Sequence, residues 1–396
     1  MSNKGRVLAI VTPGILFTSA ISVIAQNWTL TSAPITNWNC VASSADGTRL
    51  VAVYSSGIYT STNSGATWIS NSVPNRFWRS VASSADGGKL VAAVNGGLIY
   101  TSTNAGATWV TNGAPSKDWF SVASSADGNK LVAAANNDAV YTSTNAGATW
   151  VSNSAPRQLW NSVASSADGR KLAAVGSGFS DCGVIYTSSD SGASWMSNSS
   201  FATVLTSVAS SADGNKLVGV SDSCGPNGGR IYTKTDSAGN WTVTSAPFGK
   251  WYSVASSADG SKLVAVSIGN GIAGGAIYTS TNWGTSWVSN STTSKTWYSA
   301  ATSADGSESV AVALFGGIYT AQSAPVPILD ITHSAENANI SWTIPSTEFM
   351  LQQNSDLTTD NWMDVTTAPV LNLTNLQNEV AVPLSISNQF YRLKGL

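Results

Sequence analysis

Charge is scarce in this sequence. Of 396 residues only 10% are Asp, Glu, Lys or Arg, and the formal net charge is −2. No global field draws such a chain to nucleic acid, whose recognition leans on clustered cations. Histidine is scarcer still, with His333 the only one. A histidine-based triad or a histidine-rich metal site is excluded from everything before that residue. Long apolar runs are missing except at the start, where Lys4 and Arg6 precede the stretch 7–25. Its small-residue end, Val23-Ile24-Ala25, stands before Gln26. This looks like a secretory signal peptide over residues 1–25, with a retained transmembrane anchor as the alternative. We favour cleavage. The expected location is secreted or cell-surface, with no membrane span after cleavage.

What is there instead is one phrase that returns seven times. It reads Trp-x-Ser-Val-Ala-Ser-Ser-Ala-Asp-Gly, then Lys-Leu-Val-Ala, then Ile-Tyr-Thr-Ser-Thr-Asn-x-Gly-Ala-Thr-Trp. Its turn recurs at Asp46, Asp86, Asp127, Asp168, Asp213, Asp259 and Asp305. Such a period outranks other signals. One copy reads as four strands. Residues 80–83 are small and suit a crowded axis, 89–93 and 98–102 follow, and Trp109 opens the last. The Asp-Gly pair between the first two is a tight turn, with Asp bonding local N–H groups and Gly taking positive φ. Four short strands in roughly 40 residues make one propeller blade. The fold class is therefore all-β, a seven-bladed β-propeller over residues 26–320.

The seventh copy, from Trp297 to Thr320, lacks its fourth strand, because Ala321-Gln322-Ser323 stands where the last turn should be. Residues 27–34 match that strand in other copies. The N-terminal segment is expected to complete the last blade and leave no sheet edge open. Residues 321–327 read as a linker. Residues 328–396 show short, partly alternating strands, expected as a small β-sandwich.

The third turn resembles the Asp-box of the BNR-repeat propellers, Ser-x-Asp-x-Gly-x-x-Trp. The matching pairs are Asn63 with Trp68, Asn104 with Trp109, Asn145 with Trp150, Asp190 with Trp195, and Asn282 with Trp287. Asp236 with Trp241 is a degenerate copy, since Gly239 sits one place late. Most copies carry Asn where the family often has Asp. The resemblance implies a structural role, in which the side chain ties the turn and the Trp packs between strands. The C-terminal segment resembles a fibronectin-III-like module of secreted bacterial proteins, which implies an accessory or surface-associated role.

Three cysteines are present. Cys182 and Cys224 fall in the same loop of adjacent copies and are expected to pair, as an exported protein permits. Cys40 stands where other copies have Ser and is expected as a buried thiol near the axis. The extra residues of the longer copies enter between the second and third strands, at 176–183, 221–230 and 267–275. These loops share a face with the connections between blades. The connections carry Arg76, Lys117, Arg157, Lys250 and Lys295, just ahead of Trp78, Trp119, Trp160, Trp251 and Trp297. Aromatics beside cations are candidates to stack sugar rings and hold anionic groups, and all ten residues are candidate ligand contacts. A ring of cations on the opposite face (Arg49, Lys89, Lys130, Lys171, Lys216, Lys262) reads as solvated.

BNR-repeat propellers include sialidases, but the Arg-Ile-Pro motif is missing and Glu308 is the propeller's only Glu. Other Asp-box enzymes hydrolyse polysaccharides with two Asp residues. Asp138, Asp181 and Asp222 lie in equivalent loops and are the candidates for that alternative. Nothing in the sequence marks one as acid and another as base. The same three could hold Ca²⁺ only weakly, for no Asp-x-Asp spacing supports them. Neither metal nor cofactor is expected. Photosystem assembly factors, which share this kind of repeat, bind protein partners through the ring face. The sequence reading is thus a non-catalytic, monomeric binding or scaffold protein whose ligand is an extracellular glycan or a protein.

Overall fold

The computed structural model describes residues 6–11, 14–19 and 26–395, apart from residues 112, 179–182, 199–202, 223–228, 236–239, 270–273, 323–328, 334–336, 344–348, 357, 360, 373–376 and 384–388. The chain divides into two units, Ala25–Ser323 and Ala324–Leu396 with Met1–Ile24.

In the first unit each of the first six copies of the phrase becomes four antiparallel strands. The second copy runs Trp78–Ser83, Leu90–Val94, Ile99–Ser102 and Val110–Thr111, hydrogen-bonded in that order. The third and fourth copies share one eight-stranded sheet. Leu131–Asp138 runs long enough there to pair with Gln158–Ser165. In the last copy Thr29–Leu30 supplies the missing fourth strand, with Thr29 opposite Thr320 and Leu30 opposite Tyr319. An early segment and the end of the repeat thus join in one four-stranded sheet, with Thr29–Leu30 as its outer strand.

The phrase itself holds the sheets to one another. The Ala before each turn Asp donates its N–H to its counterpart in the next copy. The chain runs from Ala45 to Ala85, Ala126, Ala167, Ala212, Ala258 and Ala304, and Ala304 donates back to Ala45 at 2.7 Å. This circle of backbone bonds has no free end. A second circle uses side chains. Ser80 Oγ accepts the Val122 N–H at 3.1 Å, Ser121 that of Val163 at 3.1 Å, and Ser299 that of Val41 at 3.2 Å. Cys40 takes this place in the first copy and breaks the circle. Its Sγ lies 3.7 Å from the Val81 carbonyl oxygen, and the residue is half-buried rather than buried.

Each Asp turn is built alike. Ser84 donates its hydroxyl to Asp86 at 2.5 Å and accepts the Lys89 N–H at 3.0 Å. The expectation that the second-strand cations merely face solvent needs correcting. Lys89 reaches the next turn, donating to the Asp127 carbonyl at 3.0 Å and to Asn129 at 2.7 Å. Lys130 and Lys216 do the same to Asp168 and Asp259 at 2.9 and 2.8 Å. The stem of Lys89 crosses directly over Gly128, where a Cβ would meet Lys89 Cδ at 2.7 Å and φ is +69°. Only glycine combines that backbone with that clearance.

Between sheets the core is apolar and layered. Val51, Val53 and Ile58 of the first sheet pack on Trp78, Val81, Leu90 and Ala92 of the second. Six such tryptophans, at 38, 78, 119, 160, 251 and 297, are 0–1% exposed. Each meets a tyrosine edge-on, as Trp119 meets Tyr141 with 5.1 Å between centroids. Such pairs add specific geometry to a large buried area.

In the second unit two sheets share one core, with Leu329, Ile340, Trp342 and Val380 from one and Leu351, Tyr391 and Leu393 from the other. The apolar segment read as an export signal forms a hairpin here, Arg6–Val11 with Gly14–Ser19. It is added to the edge of Gln389–Gly395. Among the described residues no helix is long and apolar enough to cross a membrane.

Candidate functional site: the connection face and the mouth of the ring

The third turn is a staple in five copies, those of Asn63, Asn104, Asn145, Asp190 and Asn282. Asn63 Oδ1 accepts the Ser61 hydroxyl at 3.0 Å and the Thr67 N–H at 2.9 Å, and Asn63 Nδ2 donates to Thr67 Oγ1 at 2.9 Å. Asn104, Asn145 and Asn282 repeat this pattern. Asp190 has the same two partner positions, Ser188 and Ser194, and the Ser194 hydroxyl and N–H with the Ser188 hydroxyl pull its carboxyl down to about 2. Trp68, Trp109, Trp150, Trp195, Trp241 and Trp287 follow these turns half-buried. All of these polar groups are spent on the turn. Asp236 lies outside the described residues.

The tryptophans ahead of the inner strands do not stack a ligand. Trp78, Trp119, Trp160, Trp251 and Trp297 are buried between sheets, so no ring face is open to a sugar. Their proposed role as platforms is withdrawn for that reason. Trp160 even spends its N–H internally, on the Asp138 carbonyl at 3.0 Å.

The connection cations are at the surface. Arg76, Arg157 and Lys250 are exposed, while Lys117 and Lys295 are half-buried. Lys295 lies 5.6 Å from the Tyr319 ring centroid. Two of the cations converge on one carboxylate. Lys117 Nζ is 2.6 Å from Asp138 Oδ2, and Arg157 Nε is 3.9 Å from Oδ1. Only 13% of the Asp138 side chain is exposed. Burial pushes its pKa up. The hydrogen bond from Lys117, the Ala139 N–H and the two positive charges outweigh burial and hold the pKa below the usual value. Lys117 is raised in turn, chiefly by its bond to Asp138. Asp138 therefore stays ionised and cannot serve as a general acid.

Asp181 and both loop cysteines, Cys182 and Cys224, lie outside the described residues, as do parts of all three long loops. Asp222 is placed, at the end of Lys216–Ser221. Among the described residues no group of three His, Cys, Asp or Glu could hold a metal ion.

One set of residues escaped the sequence reading. The register of each inner strand slips right after the residue at the phrase's Trp position (Leu205 in the fifth copy), so one residue is bulged out of the ladder. The bulged residues are Asn39, Arg79, Phe120, Asn161, Thr206, Tyr252 and Tyr298. All are half-buried. They fill the one x in the otherwise near-constant phrase Trp-x-Ser-Val-Ala, and that contrast was the available signal. A bulge re-aims a side chain and is frequent at functional sites. Here it gathers side chains at the mouth of the ring, at the end where the connections enter. Arg79 reaches across to Tyr252, 173 positions away, with Nη2 3.5 Å from the hydroxyl. Its guanidinium carbon lies 4.7 Å from the Phe120 centroid. Tyr252 and Tyr298 lie with ring centroids 4.5 Å apart, tilted 35° to each other. Burial, then the neighbouring Tyr252, raise the Tyr298 hydroxyl pKa, with Arg79 opposing. Asn39 and Asn161 donate to the carbonyls of Trp78 and Leu205 at 2.7 and 3.0 Å.

No protein-family model matches the chain, and no curated protein matches it. Solved structures do. YCF48 bound to D1 peptide aligns with a TM-score of 0.59 at 14% identity, over 77% of this chain and 99% of that one. The GH74 xyloglucanase from Xanthomonas campestris aligns at 0.62 and 15%, over 80% of this chain and 59% of the enzyme. Hydrazine synthase from Kuenenia stuttgartiensis aligns at 0.59 and 13%, over 75% and 97%. At such identities the likeness shows the fold alone, and that fold is the β-propeller.

Proposed function

We propose that this protein is an exported, monomeric, seven-bladed Asp-box propeller that binds a polypeptide partner through its connection face. Its N-terminal strand closes the ring, and a fibronectin-III-like unit follows. The observation that carries the reading is the state of that face. It presents cations and ring-mouth side chains, while its tryptophans are buried and one candidate acid, Asp138, is ion-paired with Lys117 and Arg157. The buried tryptophans offer no aromatic face for stacking a sugar, and inverting or retaining hydrolysis needs one carboxyl able to hold a proton at working pH, which Asp138 is not. A cationic face with aromatic neighbours suits an acidic polypeptide. That YCF48 was solved with a bound peptide supports the same class of partner.

The test is a screen of the purified chain on peptide and glycan arrays at low and high salt, with a reducing-sugar assay on xyloglucan. Salt-sensitive retention of peptides without sugar release is expected. Release of sugar that disappears in Asp222→Asn would replace the binding reading with a hydrolase.

A further inference from the structure

The strongest unassigned feature is the mouth of the ring. Copies of the phrase agree at nearly every inner-strand position, yet the bulged position carries five residue types in seven copies. A purely structural bulge would tolerate one small residue throughout. Instead the mouth holds one cation, three aromatic rings, two amides and one hydroxyl. Among the described residues no carboxylate pairs with Arg79. Its one hydrogen bond, to Tyr252, is at the 3.5 Å limit and is easily given up.

We infer that the ring mouth is a carboxylate-binding subsite for an acidic polypeptide, with Arg79 as the anion-binding group. This rests on the polypeptide reading above and names its anchor. Arg79 lies against Phe120, which holds the planar guanidinium in place and leaves its edge free to donate two parallel bonds to a carboxylate. The Tyr252 hydroxyl, which only accepts from Arg79 and so keeps its own O–H, donates a third. Asn39 and Asn161 each spend an amide N–H on a protein carbonyl, which fixes the amide and leaves its oxygen to accept a backbone N–H of an extended chain. A peptide fits better than a sugar. Arg79 covers one face of Phe120, and Tyr252 and Tyr298 cover one face of each other, so these rings offer a lined wall, not an open platform.

The probes are fluorescent 12-residue peptides in three forms: one with Asp and Glu side chains and a free C-terminus, one with the same side chains and an amidated end, and one with Asn and Gln replacing the acids. Binding to the full chain is followed by fluorescence polarisation, and folding of each variant is checked by its melting temperature. Arg79→Gln is expected to lower affinity for the acidic peptides roughly ten- to a hundredfold, Arg79→Lys less, and the neutral peptide should bind weakly to all. Comparison of free and amidated ends identifies which carboxylate is taken. Equal binding by wild type and a folded Arg79→Gln, with loss confined to Lys250→Gln or Arg76→Gln, would overturn the ring-mouth site and leave the peptide-binding face standing. Absence of binding to every peptide would overturn both. Oligogalacturonate binding that is lost in Arg79→Gln would overturn the polypeptide as occupant.

Discussion

Cys40 is the sharpest place to test how the sheets are joined. Six copies place a serine there, and its hydroxyl oxygen accepts the N–H of the following copy, as Ser121 does from Val163 at 3.1 Å and Ser162 from Val208 at 3.2 Å. In the first copy the acceptor is a half-buried sulfur, and Val81, only 4% exposed, receives no such bond. Sulfur is a weak acceptor. Cys40→Ser should therefore complete the circle and stabilise the ring by about 1 kcal/mol, the usual net value of a neutral hydrogen bond. The first unit has about 300 residues. Its unfolding entropy is then about 0.6 kcal/mol/K, so the melting temperature should rise by about 1.5 °C. Ser121→Cys should lower it by a similar amount. Ser121→Ala strips the acceptor entirely and strands the Val163 N–H, costing about 1–3 kcal/mol, or about 2–5 °C. Differential scanning calorimetry resolves these shifts. A Cys40→Ser variant that melts no higher than wild type, beside a Ser121→Ala variant that melts no lower, would refute the claim that these bonds join the sheets.

Further outcomes follow from the same framework. Deleting residues 27–34 removes the strand paired with Ile318–Gln322, and should abolish cooperative unfolding in a thermal or urea melt. Glu308 stands where six copies have a cation. Glu308→Lys should let the side chain donate to the Asp46 carbonyl across Gly47, for a gain of about 0.5 kcal/mol seen as a higher urea midpoint. Acid should destabilise the ring. In five of the turns the serine hydroxyl chiefly lowers the Asp pKa; at Asp259 and Asp305 burial opposes but is outweighed by serine bonds. A lowered carboxylate contributes stability above its unfolded value of 3.8 that is lost as pH falls towards its folded value, about 2 for Asp259. The melting temperature should hold above pH 4 and drop between pH 4 and 2, and in Asp259→Asn the drop should be smaller.

The repeat was legible because its chemistry is local. Period-2 apolar strands, Asp-Gly turns and Ser-x-Asn-x-Gly staples act within a few residues, so their spacing alone announces four-stranded units. The closing strand was legible too, since Thr29–Leu30 carries the pattern that the last copy lacks. Roles that depend on a neighbour in space were not. Trp119 beside Lys117 looks like a ligand platform in sequence, but the next sheet covers it. Lys89 looks solvated, but the following turn receives its charge. Asp138 looks like a candidate acid until Lys117, 21 positions earlier, is found 2.6 Å away.

The sequence by itself determined the unit, because hydrogen-bonded turns and alternating strands are settled within one copy. Only the tertiary structure decided what the units make together. Ring closure sets one copy's residue against another's, and so brings Arg79 within reach of Tyr252 from 173 positions away. No periodic pattern encodes that meeting, because it depends on the curvature of the whole ring and on the bulge that turns each side chain towards its mouth.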